Sequence, residues 1–150
     1  AVPMISKTID YTRKNFPDHS LFIYDAPPGT SCPVIESVKG ADYVILVAEP
    51  TPFGLHDLKL SVKTMRKVGK QFGVVINRHG LGNDDIEKYC RKEQVNVLGR
   101  IPNMPEIAQK YSRGELIIDI PEIRREMFSI LTHTEEATGG WICRENRSAT

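Results

Sequence analysis

The chain has 150 residues, with 20 Lys and Arg against 19 Asp and Glu, a net charge of +1, and 40% apolar residues. A chain of this length holds one domain that buries roughly 70% of its unfolded surface, and a charged content of 26% belongs to ordinary globular proteins. The near-neutral balance excludes a general nucleic-acid binder, which needs a clustered basic surface. No apolar run reaches the roughly 20 residues of a membrane span. The opening "AVPMISK" shows no basic stretch followed by an apolar one, as a secretory signal would. Cys32, Cys90 and Cys143 stand far apart without a C-x-x-C pair, so no zinc or iron–sulfur site is built locally. Free thiols in a cytoplasmic protein are the expectation.

In chain order, residues 3–14 read as a helix with Pro3 in its first turn. "LFIYD" (21–25) is the first of four apolar runs, followed by "YVILVAE" (43–49), "FGVVIN" (72–77) and "VNVLGRI" (95–101). Continuous apolar runs suit strands covered on both faces, as in a parallel sheet. Between the second and third, Leu55, Leu58, Val62, Met65 and Val68 recur at helical spacing, and Gly69 closes the segment. "NDDIEKYCRKE" carries acids at its start and bases near its end, matching the helix dipole. "MPEIAQKYSRG" and "PEIRREMFSIL" each begin on a proline. Strands alternating with helices predict an α/β fold with an open, mostly parallel sheet flanked by helices. Residues 132–150 lose periodicity around Gly139 and Gly140 and are expected to form a flexible tail, docked if anywhere by Trp141 and Ile142.

Each predicted strand ends in residues a core does not need: Asp25, then Glu49-Pro50-Thr51-Pro52, Asn77-Arg78 and Pro102-Asn103. Open α/β sheets bind ligands outside the carboxyl ends of their strands. Asp25 is placed either to hold Mg²⁺, directly or through water, beside phosphates or to serve as a helix cap or turn Asp. In the following "APPGT", two prolines stiffen the loop and Gly29 can bring its N–H close to an anion. Asn77 can donate and accept at once, as reading a purine edge requires, or simply form a turn. Pro102 and Asn103 open the next helix, where plain capping would also explain them, and Asp57 is placed in the first helical turn after the second strand, where a dipole-compatible acid needs no function. His19, His56, His79 and His133 show no ligand spacing and read as surface residues.

The stretch from Leu21 to Arg78, with "IPNMPEIAQKYSRGELI" after it, strongly resembles the MinD/ParA/Mrp group of P-loop ATPases, and most closely the MinD-superfamily branch that carries an inserted ferredoxin domain. The likeness covers residues 1–131. It implies an ATP- or ADP-binding ATPase fold with Mg²⁺. Asp25 matches the Walker B aspartate, binding the metal through water, and Ala26 to Thr30, including Pro28, match the switch II loop, with Gly29 facing the γ-phosphate. Asp57 matches an acid that contacts the signature lysine, and Asn77 and Arg78 match the adenine-contacting segment. Pro102 and Asn103 match the other wall of the base pocket, although Asn103 departs from the usual Phe or Asp.

The 150 residues contain no G-x-x-x-x-G-K-[ST] run and no cysteine-rich insert. They are therefore expected to be the carboxyl half of such an ATPase: P-loop-like but incomplete, inactive alone, and with no iron–sulfur cluster of its own. Its partner is expected to be a Walker A-containing half or further copies of itself, besides an unidentified client protein. The alternative is a non-catalytic, self-associating interaction module built on the same fold. A receiver-like domain needs an acidic pair at its first strand end, and "YDAPPG" supplies one acid.

Overall fold

A computed structural model of the chain describes residues 2–16 and 21–140. The elements are α1 (Val2–Asn15), α2 (Cys32–Lys39), β1 (Val44–Ala48), α3 (Pro52–Val68), β2 (Phe72–His79), α4 (Asp85–Lys92), β3 (Val97–Pro102), α5 (Pro105–Ser112), a 3-10 turn at Ile117–Asp119, and α6 (Pro121–Ala137). The three strands form one parallel sheet in the order β1-β2-β3.

The apolar runs explain the layers. Along β2 the residues from Gly73 to Ile76 are all buried, so this central strand is covered on both faces. Val74 and Ile76 pack with Leu58 and Val62 of α3 and Ile86 and Cys90 of α4. Val75 faces the other way, with Leu98 and with Ile130 of α6. Full burial of such side chains contributes about 1.5–3 kcal/mol each. Helix α3 starts before the periodic residues, at Pro52, because Thr51 caps it: its side chain accepts from Gly54 N–H at 3.0 Å. Gly69, at φ 73°, ends it in the left-handed conformation that glycine adopts freely. Helices α1 and α2 pack on each other, joined by Ser6 Oγ donating to Glu36 Oε1 at 2.7 Å.

Two expectations change. The first predicted strand, 21–25, has no regular secondary structure and belongs to no sheet. Leu21 is 54% and Ile23 83% exposed, so the segment is not covered on both faces. A ladder needs a pairing strand, and among the described residues none pairs with this segment. Only Phe22 and Tyr24 find aromatic company, Phe22 edge-on to Phe16 and stacked with Tyr24. Periodic structure also continues past 131, since α6 runs to Ala137, with Thr134 Oγ1 bonding back to Ile130 O at 2.7 Å. The positions of His19, Trp141, Ile142 and Cys143 lie outside the described residues. Among the described residues no helix is long and apolar enough to cross a membrane.

Candidate functional site

Because the strands are parallel, their carboxyl ends reach one edge of the sheet, and three of the four predicted strand ends meet there. Glu49 follows β1, Asn77 and Arg78 lie near the end of β2, and Pro102 closes β3. Arg78 Nε lies 3.4 Å from Glu49 Oε1, tying the β2 tip to the end of β1. The Asn103 N–H donates to the His79 carbonyl at 2.9 Å, tying the start of the β3–α5 connection to β2. His79 pairs with Pro102 across a register shift that begins after Ile76.

Backbone shape at this edge is unusual. Arg78 has φ 52°, a left-handed conformation that costs a non-glycine residue about 1–2 kcal/mol. It sits inside the register shift and bends the β2 tip. Two glycines allow close approaches here: Gly54, read from the sequence as preceding the helix but lying in the first turn of α3, and Gly82, in the β2–α4 connection. A Cβ on Gly54 would collide with the Glu49 carbonyl, and one on Gly82 with the Pro50 carbonyl.

Below this edge, Arg100 Nε donates to Glu87 Oε1 at 2.5 Å, and His79 Nε2 stands 3.7 Å from the same oxygen. The Arg100 hydrogen bond holds the Glu87 carboxyl below its usual range, with the Arg100 and His79 charges adding to it. The cluster links β3, α4 and the end of β2. Cys90, on the buried side of α4, has its thiol pushed up to about 11 by burial.

The remaining predicted residues stand apart from this tie. Asp25 is exposed on the unpaired segment, and among the described residues it has no hydrogen bond or ion pair. Pro28 and Gly29 are exposed and Thr30 half-buried in the loop before α2, and Gly29 takes φ 95°, which only glycine adopts without strain. Asp57 is exposed in the second turn of α3 rather than the first, because the helix starts at Pro52. No group of three or more His, Cys, Asp or Glu side chains capable of holding a metal occurs among the described residues. Two hollows, of about 390 and 460 Å³, lie at the opposite, amino edge, around Tyr43, Phe72, Asn96 and His133.

No protein-family model matches the chain. It is 30% identical over 102 residues to the uncharacterized protein MJ0579 of Methanocaldococcus jannaschii, which covers 68% of this chain and 35% of that protein. It is 33% identical over 63 residues to the uncharacterized protein MJ0578 of the same organism, covering 42% of this chain and 23% of that one. The chain thus spans about a third or less of the curated relatives it matches. Among solved structures it is similar to the MinD cell division protein of Aquifex aeolicus, with a TM-score of 0.68 at 19% identity over 89% of this chain and 61% of that one. The cell division ATPase MinD of Pyrococcus furiosus gives a TM-score of 0.70 at 19% identity over 91% and 59%.

Proposed function

On the premise that the chain has the MinD-like P-loop ATPase fold, we propose that it is the switch and base-recognition half of a nucleotide-binding ATPase, completed by a segment or chain that bears a Walker A loop. The observation that carries this reading is the single carboxyl edge that Glu49, Asn77, Arg78, Pro102 and Asn103 share, with Arg78 tied to Glu49 and Asn103 to His79. In this reading Asn77 and Arg78 meet the adenine of ATP or ADP, Pro102 and Asn103 form the opposite wall, and Gly29 brings its N–H to the γ-phosphate.

The free carboxylate of Asp25 fits a magnesium site of the kind ATPases use. Mg²⁺ keeps several waters and takes one or two carboxylates plus substrate phosphates, so it needs no cluster of protein ligands. When bound, the ion would neutralise charge developing on the phosphates. The role of Asp25 is to hold and orient that ion through water. Asp57, exposed on α3, is available to a lysine of the completing half.

Without a Walker A loop the phosphates lose the backbone N–H groups and lysine that cradle them. Each hydrogen bond to a charged group contributes about 1.5–3 kcal/mol, while micromolar binding totals about 8 kcal/mol. Three or four missing bonds remove most of that. Isothermal titration of the 150-residue chain with Mg-ATP is expected to give no low-micromolar binding, and addition of a Walker A-bearing half to give both binding and hydrolysis. Tight binding by the chain alone would overturn the half-site reading.

A second reading, a self-associating interaction module without catalysis, is favoured by one observation. Ile45 and Val47 of β1 are 42% and 65% exposed beside an unpaired strand edge, and unpaired edges promote association. Stable self-association that persists when a Walker A-bearing half is supplied, with no nucleotide binding, would select it.

A further inference from the structure

The sheet has two outer edges, and the chain treats them differently. On β3, main-chain groups are taken up by α6 rather than by β2. Glu126 Oε2 accepts from the Arg100 N–H at 2.7 Å. Ser129 Oγ donates to the Leu98 carbonyl at 3.3 Å, and His133 Nδ1 lies 3.0 Å from the same oxygen. A carbonyl only accepts, so Nδ1 carries the hydrogen in this contact. Positions 126, 129 and 133 fall on one face of α6 by helical spacing. They bond β3 where the main chain of an added strand would. Gly99 permits the approach: a Cβ there would stand 2.6 Å from Ile130 Cγ1 and 3.2 Å from Glu126 Oε2. The strand then ends on Pro102, which has no N–H to offer.

On β1 nothing comparable is built. The Val44 N–H bonds the Gln71 carbonyl at 3.0 Å, toward β2. Strand alternation therefore turns the main-chain groups of Ile45 and Val47 outward. Among the described residues no side chain bonds them, and no charged residue lies within β1.

We propose that Glu126, Ser129 and His133 form a guard that closes the β3 edge to strand addition, so that neither a second copy of the chain nor any completing segment joins there and the sheet can grow only beside β1. The guard acts by occupation. An incoming strand would have to displace three side-chain hydrogen bonds held by a helix that is itself anchored through Ile123 and Ile130, both buried. It does not depend on the nucleotide reading, and its test uses no nucleotide.

The test compares the full chain with the triple variant Glu126→Ala, Ser129→Ala, His133→Ala by sedimentation velocity and by amide hydrogen exchange. The triple variant is expected to form species larger than any the wild type forms, because both edges can then pair. Adding Val47→Lys to the triple variant is expected to leave the new association in place. Glu126→Gln, which keeps an acceptor, is expected to behave as wild type. Unchanged sedimentation of a folded triple variant overturns the guard, and so does suppression of the new species by Val47→Lys. Should the triple variant not fold, exchange in the wild type decides. The Arg100 amide is expected to exchange at least about tenfold more slowly than the Val47 amide, the factor one retained hydrogen bond supplies. Equal rates overturn the proposal.

Discussion

Arg78 shows in one residue how the carboxyl edge departs from what a core requires. Its φ of 52° is costly for any side chain beyond glycine, and its ion pair with Glu49 joins two exposed groups, worth at most about 1 kcal/mol. Strain held against so little local gain is the pattern of positions kept for a ligand. Arg78→Gly relieves the backbone and deletes the pair, so chemical denaturation is expected to find stability changed by no more than about 1 kcal/mol. Under the proposed half-site reading, nucleotide affinity of the completed protein is expected to fall by about tenfold, the equivalent of one charge-assisted contact. A large loss of stability with unchanged affinity would make Arg78 a structural residue instead. The cysteines give a second test at this scale. Cys32 is exposed, while Cys90 is buried with its thiol raised from 9.0 to about 11. Reactivity follows the thiolate. Iodoacetamide at mildly alkaline pH is therefore expected to modify Cys32 and spare Cys90, read by peptide mass. The raised value carries a sign as well: the contribution of Cys90 to stability is intact below pH 9.0 and is lost as pH rises toward about 11.

Among the elements, most were legible from their own residue patterns, and the failures came where the lack of a partner, or a contact from elsewhere in the chain, decided the outcome. The helix carrying Leu58, Val62 and Met65 follows from its spacing, and all three are buried. The strands at 43–49, 72–77 and 95–101 follow from apolar runs that find one another. "LFIYD" has the same letters, but no composition rule reports whether a neighbouring strand exists, and there the reading failed. The continuation of α6 past Leu131 was hidden because Thr132, His133 and Thr134 are poor helix formers; Thr134 and His133 are held instead by bonds to Ile130 O and Leu98 O. Of the candidate site, the strand tips were legible as residues ill suited to a core. The Arg78–Glu49 tie and the close approach of Gly82 to Pro50 were not, because both join separate connections. The link between α4 and β3 offers a pH test of such a long-range contact. The Arg100 hydrogen bond keeps Glu87 below its usual 4.5, so the pair stabilises the fold above that pH and the contribution is lost as pH falls through the lowered folded value. Glu87→Gln is expected to cost about 1 kcal/mol near neutrality. The difference from wild type should shrink below about pH 4.5 in urea melts, and a difference constant down to pH 3 would rule out the ion pair as its source.

For the molecule as a whole, the central question is whether its surface at β1 is final. On one side of the sheet β2 and β3 are covered by α6, while Ile45 and Val47 of β1 remain exposed on the same side as buried Val75. With the Arg100 N–H and the Leu98 carbonyl of β3 held by α6 and the β1 edge without a pairing strand among the described residues, the sheet is built asymmetrically. Val47 separates the possibilities because its environment differs between them. At 65% exposure, Val47→Lys in the chain as it stands is expected to change stability by no more than about 0.5 kcal/mol, the usual range for surface positions. Once a strand and its covering helix are added beside β1, the same lysine must be desolvated, at a cost of about 3 kcal/mol or more. Association with a Walker A-bearing half is then expected to weaken by at least about 100-fold, since each 1.4 kcal/mol is tenfold. Calorimetric titration of the two halves, with urea melts of the variant alone, measures both quantities. A variant destabilised by itself would show that β1 is already covered by its own chain. One that associates as tightly as wild type would place the completing half elsewhere, and the reading of β1 as an interior strand would fall with it.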